Sequence, residues 1–280
     1  IVWILMLFFL VINILNIEMQ VHDYKKDIKL THQYILNDKI DKEYLNSVVS
    51  IYDDFNMQIV KNTKMDLYDY NPSGKYKLFI DNCYKKLEKR VEEIKNDGES
   101  TQLTYPGQVY RLHKLLYYNI FKKLLLEMAG VISICTLFLM DYERINNTTG
   151  IVYATKKGRT IQKSKMISAM IAGSVINGIL MIGTLGYYFA NISYKGLWNT
   201  SLSSAMAMES RGILKYPFIT YAKMSYAKYL LFTICYAAVL ILLISVLSSA
   251  IQLVTNNSYI SIIIVVITML GLLNVLQFST

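Results

Sequence analysis

Proline, cysteine and histidine are scarce, with three of each in 280 residues. Cys83, Cys135 and Cys235 stand far apart, so neither a disulfide framework nor a Cys-x-x-Cys metal or redox motif can be built from neighbours in sequence. His22, His32 and His113 have no Cys or carboxylate at ligand spacing, which leaves no zinc-protease or zinc-finger pattern. The Gly-x-Ser-x-Gly and Gly-x-Gly-x-x-Gly signatures are missing as well. "NPSGKYK", residues 71–77, has a Gly-Lys pair, but it lacks the upstream Gly of a phosphate-binding loop, and Tyr76 stands where a Ser or Thr would hold Mg²⁺. No catalytic residue, no metal site and no nucleotide site is therefore expected in this chain.

Charge is missing too, and in blocks. Residues 1–17, 166–190, 229–250 and 259–277 carry none, and residues 124–140 carry only Glu127. A bilayer's hydrocarbon is crossed by an apolar helix of about 20 residues. Lipid offers backbone amides no partners, so each block is expected to be helical. The composition predicts an all-α integral membrane protein, a polytopic helical bundle with spans at 1–17 and near 120–140, 166–190, 229–250 and 259–277. The first block lacks a basic leader and a small-x-small cleavage site and reads as a span rather than a signal peptide. Because the chain opens inside that span, it is expected to be a piece of a longer protein with six spans.

The net charge of +9 is unevenly distributed. Between the first two spans, residues 18–116 hold sixteen basic and sixteen acidic side chains, so the whole excess lies elsewhere, beside the spans. A basic face for nucleic acid is excluded on that ground. Loop 141–165 carries six Lys or Arg in 25 residues, against five in the 38 residues of loop 191–228 and none in 251–258. Positive flanks favour the cytoplasm. That bias puts 141–165 inside and 18–116 outside the cell.

The insert 18–116 carries apolar stripes at helical spacing. Val21, Tyr24, Ile28, Thr31 and Ile35 extend the first span as a stalk. Leu45, Val48, Tyr52, Phe55 and Ile59 form a second stripe, and Ile80, Cys83, Leu87, Val91 and Ile94 a third. "NPSG" at 71–74 marks a turn between the last two. An extracytoplasmic helical bundle that buries its own seams is the expectation. Within the spans, Glu127 is expected near an interface or beside Lys123, and Asn177 as a hydrogen-bonding contact between helices. Ala169, Gly173 and Gly178 are expected to let the third span pack closely against another helix.

Loop 141–166, "DYERINNTTGIVYATKKGRTIQKSKM", leaves one span on an acidic pair and reaches a Thr-Lys-Lys-Gly-Arg turn before Lys165 opens the next span. This arrangement resembles the permease subunits of ABC-2-type ABC transporters, which run from an acidic residue through a Gly to a Ser/Thr-x-x-Gly-Arg element and a Lys. The matching positions here are Glu143, Gly150, Thr155, Gly158, Arg159 and Lys165, with Lys157 inside the element. "YPFITYAKMSYAKYL", 216–230, is similar to a Pro-x-x-Thr segment before the family's fourth span.

The resemblance implies a coupling element that docks on a separate cytoplasmic ATPase subunit. ATP and Mg would then be bound by that partner, with no cofactor in this chain, and a second permease copy or a sister permease would complete the membrane pair. It further implies export of a peptide antimicrobial or other amphiphile across a bacterial cell membrane. The alternative is a membrane sensor or scaffold that transports nothing, with 154–166 serving only to orient its helices. An intramembrane enzyme ranks last, because no acid, base or metal groups converge.

Overall fold

The structure is a computed structural model that describes residues 2–35, 52, 55–67, 72–100, 102, 114–154, 161–192, 194, 197–204, 208–211, 214–255 and 257–279. Its elements in chain order are α1 (Val2–Ile35), α2 (Met57–Leu67), α3 (Gly74–Asn96), a π-helical stretch (Lys114–Phe121) leading into α4 (Lys122–Met140), the short α5 (Tyr142–Ile145) and α6 (Thr149–Ala154), α7 (Ile161–Asn191), strands β1 (Met208–Arg211) and β2 (Leu214–Pro217), α8 (Tyr226–Thr255) and α9 (Ser258–Ser279). The protein is all-α and polytopic. The exception among the described residues is small: β1 and β2 form one antiparallel hairpin, and Ser201 and Ser225 make an isolated bridge.

Among the described residues, four helical stretches are long and apolar enough to cross a membrane: Val2–His22, Leu115–Met140, Ile161–Asn191 and Tyr226–Thr255. They coincide with the first four expected spans. The fifth corresponds to α9, a helix of 22 residues whose first part, Ser258–Thr268, is apolar. The stalk expectation is met by α1, which continues unbroken to Ile35.

The chain divides into two compact units. Unit 1 contains residues 1–19, 120–192 and 233–280. Its central helix is α4, with Leu124, Met128, Val131, Ile132 and Leu137 almost fully buried. Closest to it lies α7. Ala169 is buried, and a Cβ built at Gly173 would collide with Ile132 Cδ1, so a larger residue there would have to push that side chain aside. Asn177 Nδ2 donates to the Met128 carbonyl at 3.0 Å. A Cβ at Gly178 would meet nothing within 4 Å, so the close packing expected of it is not made with any described residue. Hydroxyls link α4 to α8, with Thr136 and Ser245 2.9 Å apart and the Ser248 hydroxyl 3.4 Å from that of Ser133. Asn13 of α1 is buried and donates to Glu127 at 2.6 Å and to Thr184 at 3.4 Å. Glu127 thus has an amide partner on another helix as well as the lysine one turn away.

Unit 2 contains residues 20–119 together with 193–232. The insert after the first helix is therefore completed by a segment that the sequence presents only as a loop. Its core is Tyr52, Met57, Val91 and Ile94, with Phe55, Leu87 and Ile219 packed around them. The third apolar stripe lies on α3 as expected, Val91 and Ile94 being buried. The second stripe is cut: Phe55 and Asn56 are not helical, the Asn56 side chain accepts from the Gln58 amide at 2.8 Å, and Ile59 on α2 is exposed. Leu45 and Val48 lie outside the described residues. At the expected turn, Pro72 is buried and Gly74 has φ +61°, a conformation glycine adopts without strain.

A buried ion pair within the first segment of unit 2 is hydrogen-bonded to the second. Arg90 Nη2 donates to both Glu99 carboxylate oxygens at 2.9 Å, with the side chains 4% and 0% exposed. Ser201 Oγ donates to Glu99 at 2.6 Å, and Arg90 Nε to the Thr220 carbonyl at 3.3 Å. Tyr52 donates its hydroxyl to the Ser203 carbonyl at 2.5 Å. Burial, reinforced by the Glu99 charge, raises the Tyr52 pKa well above the usual phenol range and keeps the hydroxyl a donor.

Candidate functional site

The site is built where α4 ends and α7 begins. Asp141 caps α4, its backbone N–H reaching the Leu137 carbonyl at 3.0 Å. The chain then turns through α5 and Asn147, whose φ of +55° is a left-handed conformation that Asn tolerates better than most residues. The Asn146 side chain caps the Tyr142 carbonyl at 2.8 Å, and the Thr148 amide reaches the Glu143 carbonyl at 2.8 Å, so the bend is held by its own polar groups. Residues 149–154 form α6, and α7 begins at Ile161. The last residues before the expected third span are thus already helical.

Two of the residues singled out in the sequence meet here. Lys165 Nζ pairs with the Glu143 carboxylate and donates to the Met140 carbonyl at 3.2 Å. The two side chains are only 11% and 13% exposed. The first turn of α7 is therefore fastened to the last turn of α4, with one cation closing both an ion pair and an open helix-end carbonyl. Gly150 is exposed on α6, and a Cβ there would meet nothing within 4 Å, so no packing demands a glycine. Thr155, Lys157, Gly158 and Arg159 lie outside the described residues.

The sequence did not point to the second half of the site. Asp141 is buried, accepts the Ser258 hydroxyl from the start of α9, and lies 3.6 Å from Arg144 Nε. Beside it a cleft of about 260 Å³ is lined by Met140, Asp141, Glu143, Arg144, Gln252 and Leu253, among others. Only the density of polar residues around 252–258, between two apolar runs, hinted that the end of α8 would meet the end of α4. Pro217 and Thr220, the second matched segment, belong to unit 2. Thr220 is buried there, accepting the Ser203 hydroxyl or donating to it at 2.9 Å, and its own hydroxyl reaches the Ala222 carbonyl at 2.8 Å.

Oppositely charged groups pair across a bend between two long helices, and among the described residues no cluster of His, Cys, Asp or Glu could hold a metal ion. No family model, curated protein or solved structure matches the chain.

Proposed function

We propose that this chain is the permease subunit of an ABC-2-type exporter. A cytoplasmic ATPase subunit docks on loop 141–165, and an amphiphilic substrate such as a peptide antimicrobial is moved across the bacterial cell membrane. The carrying observation is the Glu143–Lys165 pair with its bond to the Met140 carbonyl. A loop whose two ends are locked to each other transmits a push to both helices instead of absorbing it. The lysine's bond to the end of α4 means that displacing 155–159 pulls on α4 as well as α7. The chain hydrolyses no ATP and needs no cofactor of its own in this reading.

Chain connectivity supports the orientation. Residues 20–119 and 193–232 fold into one unit, and the helices Leu115–Met140 and Ile161–Asn191 separate them in sequence. Two crossings return a chain to the side it left, which agrees with both segments lying outside and 141–165 inside, as the lysine and arginine bias requires.

The test is co-purification with the ATPase encoded beside it, followed by transport and hydrolysis assays in vesicles. Arg159→Ala with Gly158→Leu is expected to leave ATP hydrolysis running while lowering transport by on the order of tenfold, the size of a coupling energy of about 1–3 kcal/mol. Wild-type coupling in that double variant, or failure of any ATPase to co-purify, sinks the reading and favours the sensor or scaffold.

A further inference from the structure

The cleft beside Asp141 is lined by a residue with an acceptor that no other described residue uses. Gln252 is 5% exposed, and its Nε2 donates to the Ser258 hydroxyl at 3.4 Å, while its Oε1 is buried without a hydrogen-bond partner. A buried carbonyl oxygen left unpaired costs free energy comparable to a lost hydrogen bond. Glu143 and Asp141 in the same lining are engaged by Lys165 and by Ser258, which leaves an acceptor at Gln252 for a ligand.

The surroundings specify what would fill it. Asp141 and Glu143 bring negative charge to the cleft, and the C-terminal ends of α4 and α8, which meet here, add the negative ends of two helix dipoles. Arg144 brings a guanidinium, 49% exposed, to the same lining. Next to these lie Leu253, also in the lining, and Val254, 51% and 83% exposed, on a helix apolar enough to cross a membrane. A volume of about 260 Å³ takes a small organic group rather than a bare ion.

We propose that the cleft binds the headgroup of a zwitterionic phospholipid with a primary ammonium, a phosphoethanolamine. Its N–H groups donate to Gln252 Oε1 within the field of Asp141 and Glu143. Its phosphate lies toward Arg144, and its acyl chains lie against Leu253 and Val254. The match is one of paired signs: a lining that holds carboxylates, an orphaned acceptor and a guanidinium suits a ligand carrying both charges. Methylation of the ammonium removes the N–H donors and keeps the charge, so phosphatidylcholine fits the charge pattern but cannot satisfy Gln252. Phosphatidylglycerol has no cation at all.

The experiment uses the whole chain, purified in detergent and delipidated, with lipid adducts counted by native mass spectrometry. Wild-type protein is titrated with phosphatidylethanolamine, its mono- and dimethyl forms, phosphatidylcholine and phosphatidylglycerol of one chain length. Affinity is expected to fall along the methylation series by about tenfold in total, the scale of one hydrogen bond from a charged donor. Gln252→Leu is expected to flatten that series while circular dichroism shows the helices intact, and Gln252→Glu to keep it. Should Gln252→Leu fail to fold, the wild-type series still decides. Equal binding of all four amine headgroups, or a preference for phosphatidylglycerol, overturns the proposal. So does a methylation series left unchanged in folded Gln252→Leu. No ATPase enters the measurement, so its outcome is independent of the transporter reading.

Discussion

The two units differ in what they expose more than in what they bury. In unit 1 the large apolar side chains Ile4, Leu7, Phe8, Ile171, Ile182, Val239 and Leu243 face outward, while Asn13, Asn177, Thr136 and Ser245 are hidden among the helices. In unit 2, Tyr52, Val91 and Ile94 are buried, and lysines and glutamates of α3 face outward. The contrast shows which solvent each surface has to satisfy. Water drives apolar groups inward, whereas lipid is as apolar as leucine, and it is the polar atoms that gain by turning to one another. The two interiors should therefore respond differently to the same kind of lesion, and the chain carries its own reporters. Of its two tryptophans, Trp3 belongs to unit 1 and Trp198 to unit 2.

The largest effect is expected where charge is buried in unit 2. Glu99→Ala takes the buried carboxylate from the Arg90 guanidinium, leaving it the more exposed Glu93 at 3.4 Å, and should cost about 3–5 kcal/mol. It would be read as a loss of urea resistance in Trp198 fluorescence with Trp3→Phe as background. The paired change Arg90→Met with Glu99→Leu should recover most of that loss, since removing both charges removes the desolvation cost as well. A double variant as weak as the single one would show that Ser201 and Thr220, not the charges, hold the two segments together.

A smaller effect is expected from packing in unit 1. Gly173→Leu forces Ile132 aside and should cost about 1–3 kcal/mol, whereas Gly178→Leu enters open space and should stay within about 0.5 kcal/mol. Thermal melts of detergent-solubilised protein separate them, with Ile132→Ala expected to relieve the first. Equal losses at 173 and 178 would mean that the second glycine also faces a helix, in another copy or another chain.

The smallest effect is expected where intuition from water predicts a large one. Asn13→Leu breaks the bonds to Glu127 and Thr184, yet polar contacts between membrane helices average only about 0.6 kcal/mol, because the separated helices also find partners. A loss as large as that of Glu99→Ala, followed through Trp3 fluorescence with Trp198→Phe as background, would overturn the claim that the two interiors obey different solvents.

Legibility followed the same division. The apolar blocks could be read directly, because a span needs only length and the absence of charge, both local properties. The Val91–Ile94 face of α3 could be read from its spacing. The break at Phe55–Asn56 could not, since an asparagine that caps the following helix looks in sequence like any polar residue between two apolar ones. At the site, Glu143 and Lys165 were marked by a resemblance and not by physics, and their pairing spans 22 positions. Gln252 carried no mark at all: an amide near the end of an apolar helix is ordinary until its acceptor is found buried.

By itself the sequence determined the all-helical class, the first four membrane-length helices and the position of the cationic loop, because each follows from the composition of a contiguous stretch. Tertiary structure alone decided that residues 193–232 complete the insert, that Asn13 answers Glu127, and that the ends of α4 and α8 enclose a cleft. Those outcomes depend on which distant polar atoms find one another once water or lipid has been excluded. No local pattern encodes that choice, since a serine or asparagine has the same spacing whether or not a partner awaits it.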